Sequence, residues 1–185
     1  MKYTRDISIF THEVKQSKFI AHFMPYFLYE KQLQLLQKEH PKARHFVTAF
    51  RYLNEYQQIV EHSSDDGEPK GTSGKPSLMV LQGQDIINSA VIIVRYFGGT
   101  KLGTGGLVRA YSDAVNLVLE ESDFYEYIQE IEKEISIHYS EMRLLEYTCK
   151  EMEIQIVNKT FDMKVVYILR ATEEKIQNVM QSFMM

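Results

Sequence analysis

The chain has 185 residues, 44% of them hydrophobic and 25% charged, which supplies a core for one large domain or two small ones and excludes wholesale disorder. Its formal net charge of -4 divides evenly, with 14 basic and 16 acidic residues up to position 130 and 7 and 9 after it, so attraction to a polyanion must be local. A single cysteine, Cys149, excludes a disulfide framework and a zinc site built from cysteines, and no apolar run approaches bilayer-spanning length. The opening Met1-Lys2-Tyr3-Thr4-Arg5-Asp6 lacks the apolar stretch of a signal peptide, so the expected location is the cytoplasm and no membrane contact is expected.

In chain order, Ile7 to Val14 and Lys18 to Tyr26 are rich in β-branched and aromatic residues around a polar turn and predict a hairpin. Leu33 and Leu36 in a charged context predict a helix over Glu30 to Glu39, ended by Pro41. His45 to Leu53 alternates with a period of two and predicts a strand, followed by another at Gln57 to His62. Ser63 to Pro76 reads as a polar loop, Ser77 to Leu81 as a short helix, and the apolar run Ala90 to Phe97 as a buried strand. Leu107, Tyr111, Ala114, Val115 and Val118 then recur at helical spacing, opposite Arg109, Asp113, Asn116 and Glu120. Beyond residue 130 the pattern is strand (Glu134 to Tyr139), helix (Glu141 to Lys150), two strands (Glu153 to Asn158, Phe161 to Ala171) and helix (Glu173 to Phe183). That βαββα order fits an α+β unit with helices on one face of an antiparallel sheet. Met180, Met184 and Met185 read as core and chain end.

All nine glycines lie between Gly67 and Gly106, so unusual backbone chemistry is concentrated in mid-chain. The richest stretch runs from Arg95, in the buried strand, to Arg109, in the clearest helix, with Gly98, Gly99, Gly103, Gly105 and Gly106 between them. Exposed backbone N–H groups at a helix amino terminus suit an anion. Lys101 would meet it as a flexible charge, Arg95 and Arg109 as forks, and the Thr100 and Thr104 hydroxyls as further donors. Thr104 stands where a Walker loop requires lysine, so this is not such a loop. The glycines equally suit a tight strand-to-helix crossover, and the sequence leaves both readings open.

A second motif runs from Ser64 through Asp65, Asp66, Gly67, Glu68, Lys70, Gly71, Thr72 and Gly74 to Pro76. Its carboxylates Asp65, Asp66 and Glu68 are candidate magnesium ligands, although Asp-Asp-Gly-Glu is also ordinary turn chemistry, and the turn is the preferred reading. No cofactor is therefore expected, with magnesium as the alternative. Gly71 to Gly74 could line an anion pocket beside the first loop. The six histidines lack metal-ligand spacing, although His22 and His45, both on predicted strands, could meet on a sheet face. No catalytic residue stands out, and Cys149 reads as a buried bystander.

At these two loops the chain resembles the YigZ/IMPACT family. Ser64 to Pro76 and Arg95 to Tyr111 carry the resemblance, supported by Ser17-Lys18-Phe19-Ile20-Ala21-His22 and by His45 to Arg51. The family implies an α+β protein with two domains. Residues 1–130 would form an IMPACT-type amino-terminal domain, a ribosomal-protein domain-2-like α/β sandwich that also resembles domain IV of elongation factor G. Residues 131–185 would form a ferredoxin-like βαββα domain whose final strand is absent, leaving a sheet that lacks an edge or borrows one. The resemblance also implies contact with RNA or the ribosome, and regulation of translation through a protein partner.

Three functions fit the residues. The preferred one is a non-catalytic binding protein contacting RNA or ribosome through Arg95, Lys101 and Arg109, with Tyr96 and Phe97 available to stack on bases. The alternatives are a magnesium-dependent enzyme acting on a phosphorylated small molecule or nucleotide, and a protein-interaction adaptor.

Overall fold

The computed structural model describes residues 1–183, so Met184 and Met185 lie outside the described residues. It divides into two compact units, Met1–Tyr127 and Ile128–Met185. The class is α+β, as the sequence indicates, and no described helix is long and apolar enough to cross a membrane.

The first unit is built on a five-stranded antiparallel sheet. Its strands are β2 (Ser8–Val14), β3 (Ser17–Pro25), β4 (His45–Leu53), β5 (Ile59–Ser64) and β6 (Ser89–Tyr96), in the spatial order β2-β3-β6-β4-β5. Two short strands, β1 (Lys2–Tyr3) and β7 (Tyr125–Glu126), pair separately. The predicted hairpin is β2-β3, and its turn residues Lys15 and Gln16 both take positive φ, the geometry that matches strand twist in a two-residue turn. Central β6 is buried on both sides, which explains its unbroken apolar run. Ala21, Phe23, Val91 and Ile93 pack towards α2 (Gly74–Gly83) and α3 (Gly103–Glu120). Ala90, Ile92 and Val94 face the other way, packing with Leu33 and Leu36 of α1 (Tyr29–Glu39).

That alternation separates the two histidines: His22 pairs across the sheet with Ile92, whereas His45 pairs with Arg95. With an odd offset between those partners the side chains emerge on opposite faces, so the expected meeting does not occur. Two helix starts also differ from the sequence reading. Helix α2 begins at Gly74 instead of Ser77, and α3 at Gly103 instead of Leu107. The first has its leading N–H groups bound by a carboxylate remote in sequence, described below, and the second opens with glycines whose low helix propensity hides the first turn.

In the second unit β8 (Ile131–Ile137), β9 (Gln155–Phe161) and β10 (Val165–Ala171) form an antiparallel sheet in the order β8-β10-β9. Helices α4 (Met142–Glu151) and α5 (Glu173–Phe183) supply Leu145, Cys149, Ile176 and Val179 to the core against Tyr167 and Leu169. Met180 packs against the same core. The turn between the last two strands falls at Asp162–Lys164, later than the predicted break, and β9 starts after Glu153, which takes a left-handed φ incompatible with a strand.

Candidate functional site

The loop after β5 is organised by Asp65. One carboxylate oxygen accepts hydrogen bonds from the Ser73 hydroxyl at 2.8 Å and from the Gly74 N–H at 2.9 Å, and the other accepts from the Gly71 N–H at 2.8 Å. Burial alone would raise the Asp65 pKa, but these bonds outweigh it and hold the group below its ordinary value of 3.8. A depressed folded pKa stabilises fully above the unfolded value and is lost as pH falls through the folded one. Asp65→Asn is therefore expected to lower unfolding stability by about 1–2 kcal/mol at neutral pH. In urea melts the gap between wild type and variant should close as pH drops below 3.8. A gap that stays constant into acid would contradict this role.

Asp66 is equally committed. Its carboxylate accepts from the Phe46 N–H at 2.7 Å and its carbonyl from His45 Nδ1 at 2.8 Å. Because a carbonyl only accepts, Nδ1 carries the proton, and the remaining nitrogen of His45, Nε2, lies 3.8 Å from Glu68. Glu68 is 7% exposed and accepts from Arg95 Nη1 and, at 2.8 Å, from the Tyr111 hydroxyl. Burial first, and then the Glu68 charge, push the Tyr111 phenol far above its ordinary range, so it stays a donor. The three carboxylates considered as magnesium ligands thus turn to three different sets of partners, and among the described residues no cluster of acids, histidines or cysteine is arranged for a metal. Thr72 closes the loop by donating to the Pro69 carbonyl at 2.6 Å, while Lys70 remains exposed.

The glycine loop is fixed at its start. The Gly98 N–H donates to the Ser17 hydroxyl at 3.0 Å. Gly99 and Gly103 have φ of +92° and +73°, in the left-handed region that favours glycine, so the backbone path of the strand-to-helix crossover accounts for glycine at these positions. From Gly103 the chain is helical, taking in Thr104, Gly105 and Gly106, with no side-chain cap and no acidic residue in the first turn. Four backbone N–H groups are left free of intrahelical partners at such an end.

This helix end borders a cavity of about 430 Å³. Arg95, Lys101, Gly103 and Thr104 line it, together with Glu68, His45 and Arg44. Leu102, Leu107, Pro69 and Phe97 give it apolar walls. Both loops therefore reach one cavity, though not all their residues do. Arg109 faces a separate groove beside Lys15 and Asp113, Thr100 is exposed outside the lining, and neither joins Arg95. Arg95 is no free clamp, because it is 7% exposed and already paired with Glu68. Its Nε is buried with no hydrogen-bond partner. Tyr96 belongs to the α1 layer, its hydroxyl 2.6 Å from His40 Nδ1, whereas Phe97 is 53% exposed. The sequence reading does not single out Lys42 and Arg44. They share a second depression with Arg95 and Phe97, and the run Pro41-Lys42-Ala43-Arg44-His45 before β4 was the available signal.

Residues 15–119 match the family model of the Impact N-terminal domain, a span that contains every residue lining the cavity. The chain is 33% identical over 176 residues to an IMPACT family member of Haemophilus influenzae, covering 91% of this chain and 84% of that protein. It is 33% identical over 159 residues to the IMPACT family member YigZ of Escherichia coli, covering 83% and 77%. A crystal structure of a hypothetical protein superposes with a TM-score of 0.66 at 28% identity, over 98% of this chain and 89% of that one. With both cavity-forming loops inside the matched span, the chain belongs to the IMPACT family.

Proposed function

We propose that this chain is a binding protein that holds single-stranded RNA, free or within the ribosome, along the rim of the cavity, in the setting of translational control that the family resemblance implies. The observation that carries the reading is a basic rim around an exposed aromatic ring. Lys42, Arg44 and Lys101 are exposed, and no acidic group among the described residues pairs with them. Phe97 borders both depressions, placed where a base can stack while the neighbouring cations meet phosphates. On a chain of net charge -4 this local arrangement supplies the attraction that the whole cannot. A protein partner in translation would be a further contact, outside this rim.

Fluorescence anisotropy with a labelled single-stranded RNA tests the reading. With three phosphates neutralised, log affinity should fall against log salt with a slope of about -2. Lys101→Ala and Arg44→Ala should each make that slope shallower by about 0.7, and Phe97→Ala should cost about 1–3 kcal/mol of binding. No binding at low salt, or binding indifferent to all three substitutions, would overturn it.

A further inference from the structure

The cavity behind the rim is better matched to one kind of phosphate than to another. An internal phosphodiester carries a single negative charge, whereas a phosphomonoester carries close to two at neutral pH and offers three acceptor oxygens. Among the described residues Glu68 is the only acid in the lining, and Arg95 and Tyr111 both donate to its Oε1, so its single charge is set against that of Arg95. That leaves Arg44 and Lys101 as two uncompensated cations facing one space. The uncapped start of α3 adds partial positive charge and free N–H donors at Gly103 and Thr104. Arg95 stands in the same wall as a third cation: among the described residues its guanidinium bonds only Glu68, and its Nε is buried without a partner.

We infer that the cavity takes a ribose-borne phosphomonoester dianion, with its phosphate between Lys101, Arg44 and the amino terminus of α3 and its base against Phe97. In its RNA form, a phosphorylated strand end, this rests on the RNA-binding reading above. A mononucleotide presents the same chemistry. A volume of about 430 Å³ is of the size that holds a small ligand.

The experiment compares one RNA sequence carrying a hydroxyl at both ends, a phosphate at the 5′ end, or a phosphate at the 3′ end, with mononucleoside monophosphate and inorganic phosphate as competitors. One phosphorylated end is expected to bind about tenfold more tightly than the hydroxyl form. Lys101→Ala and Arg44→Ala should erase that ratio, while Lys42→Ala, outside the cavity lining, should weaken all three RNAs and preserve it. Equal affinity of the three RNAs overturns this inference and leaves RNA binding standing. No RNA binding, but thermal stabilisation by the mononucleotide that Lys101→Ala removes, supports the phosphomonoester, assigns it to a free nucleotide and overturns the RNA reading. Competition by inorganic phosphate as strong as by the nucleotide, or no response to any of these probes, overturns the ribose-borne assignment.

Discussion

Glu68→Ala is expected to destabilise the first unit by about 3 kcal/mol or more, read as a shift of the urea midpoint at neutral pH. The substitution strands two groups. Arg95, 7% exposed, loses its only side-chain partner among the described residues, and the Tyr111 hydroxyl, buried in the α3 layer, loses its acceptor. An unpaired charge in such a place costs far more than a paired one contributes. The same logic gives a control. Glu68→Leu with Arg95→Met and Tyr111→Phe removes all three polar groups together and should recover more than half of the loss. A second consequence ties stability to the site, because in Glu68→Ala the Arg95 charge becomes available to an anion. Inorganic phosphate should therefore stabilise this variant more than the wild type. A loss below about 1 kcal/mol would mean that water in the cavity already solvates Arg95, and the pair would then have no structural role.

Layers and strands were legible because they rest on short-range periodicity. The alternation in β4, the apolar run of β6 and the helical stripe Leu107, Tyr111, Ala114, Val115, Val118 each state locally which face is buried. The site was legible only as two motifs. That Ser64–Gly74 and the glycine loop share a cavity follows from β5 and β6 both flanking β4, a tertiary fact that no spacing encodes. Roles moved for the same reason. Asp65 reads as a possible metal ligand until its carboxylate is seen binding N–H groups up to nine residues on. Arg95 reads as a free cation until Glu68, 27 residues earlier, is seen beside it. Arg109 was placed by proximity in sequence, yet a helix turns each residue by about 100°, and that carried it to another groove. Arg44 is legible only as part of the short basic run Lys42-Ala43-Arg44-His45, and that it shares a cavity with Lys101 is again a tertiary fact.

The glycines of the loop are expected to differ sharply from one another, although in sequence they are indistinguishable. At Gly98 a Cβ would lie 2.5 Å from the Gln16 carbonyl oxygen and closer still to Gln16 C and Ser17 N. These are backbone atoms of the β2-β3 turn, held by two residues with positive φ, so they cannot rotate aside as a side chain would. Gly98→Ala should therefore cost about 3 kcal/mol by forcing the loop off the turn and breaking the bond from the Gly98 N–H to Ser17. The displaced loop carries Lys101 and the start of α3 with it, so RNA affinity should fall as well, although position 98 lies outside the cavity lining. At Gly105 an added Cβ meets nothing within 4 Å, and the residue is already helical. Gly105→Ala should raise stability by about 0.5 kcal/mol, from helix propensity and a less disordered unfolded chain, and leave RNA binding unchanged. Paired urea melts and anisotropy titrations read both effects. If the two variants moved stability in the same direction, the close approach of Gly98 to the hairpin would not be what positions the helix end at the cavity.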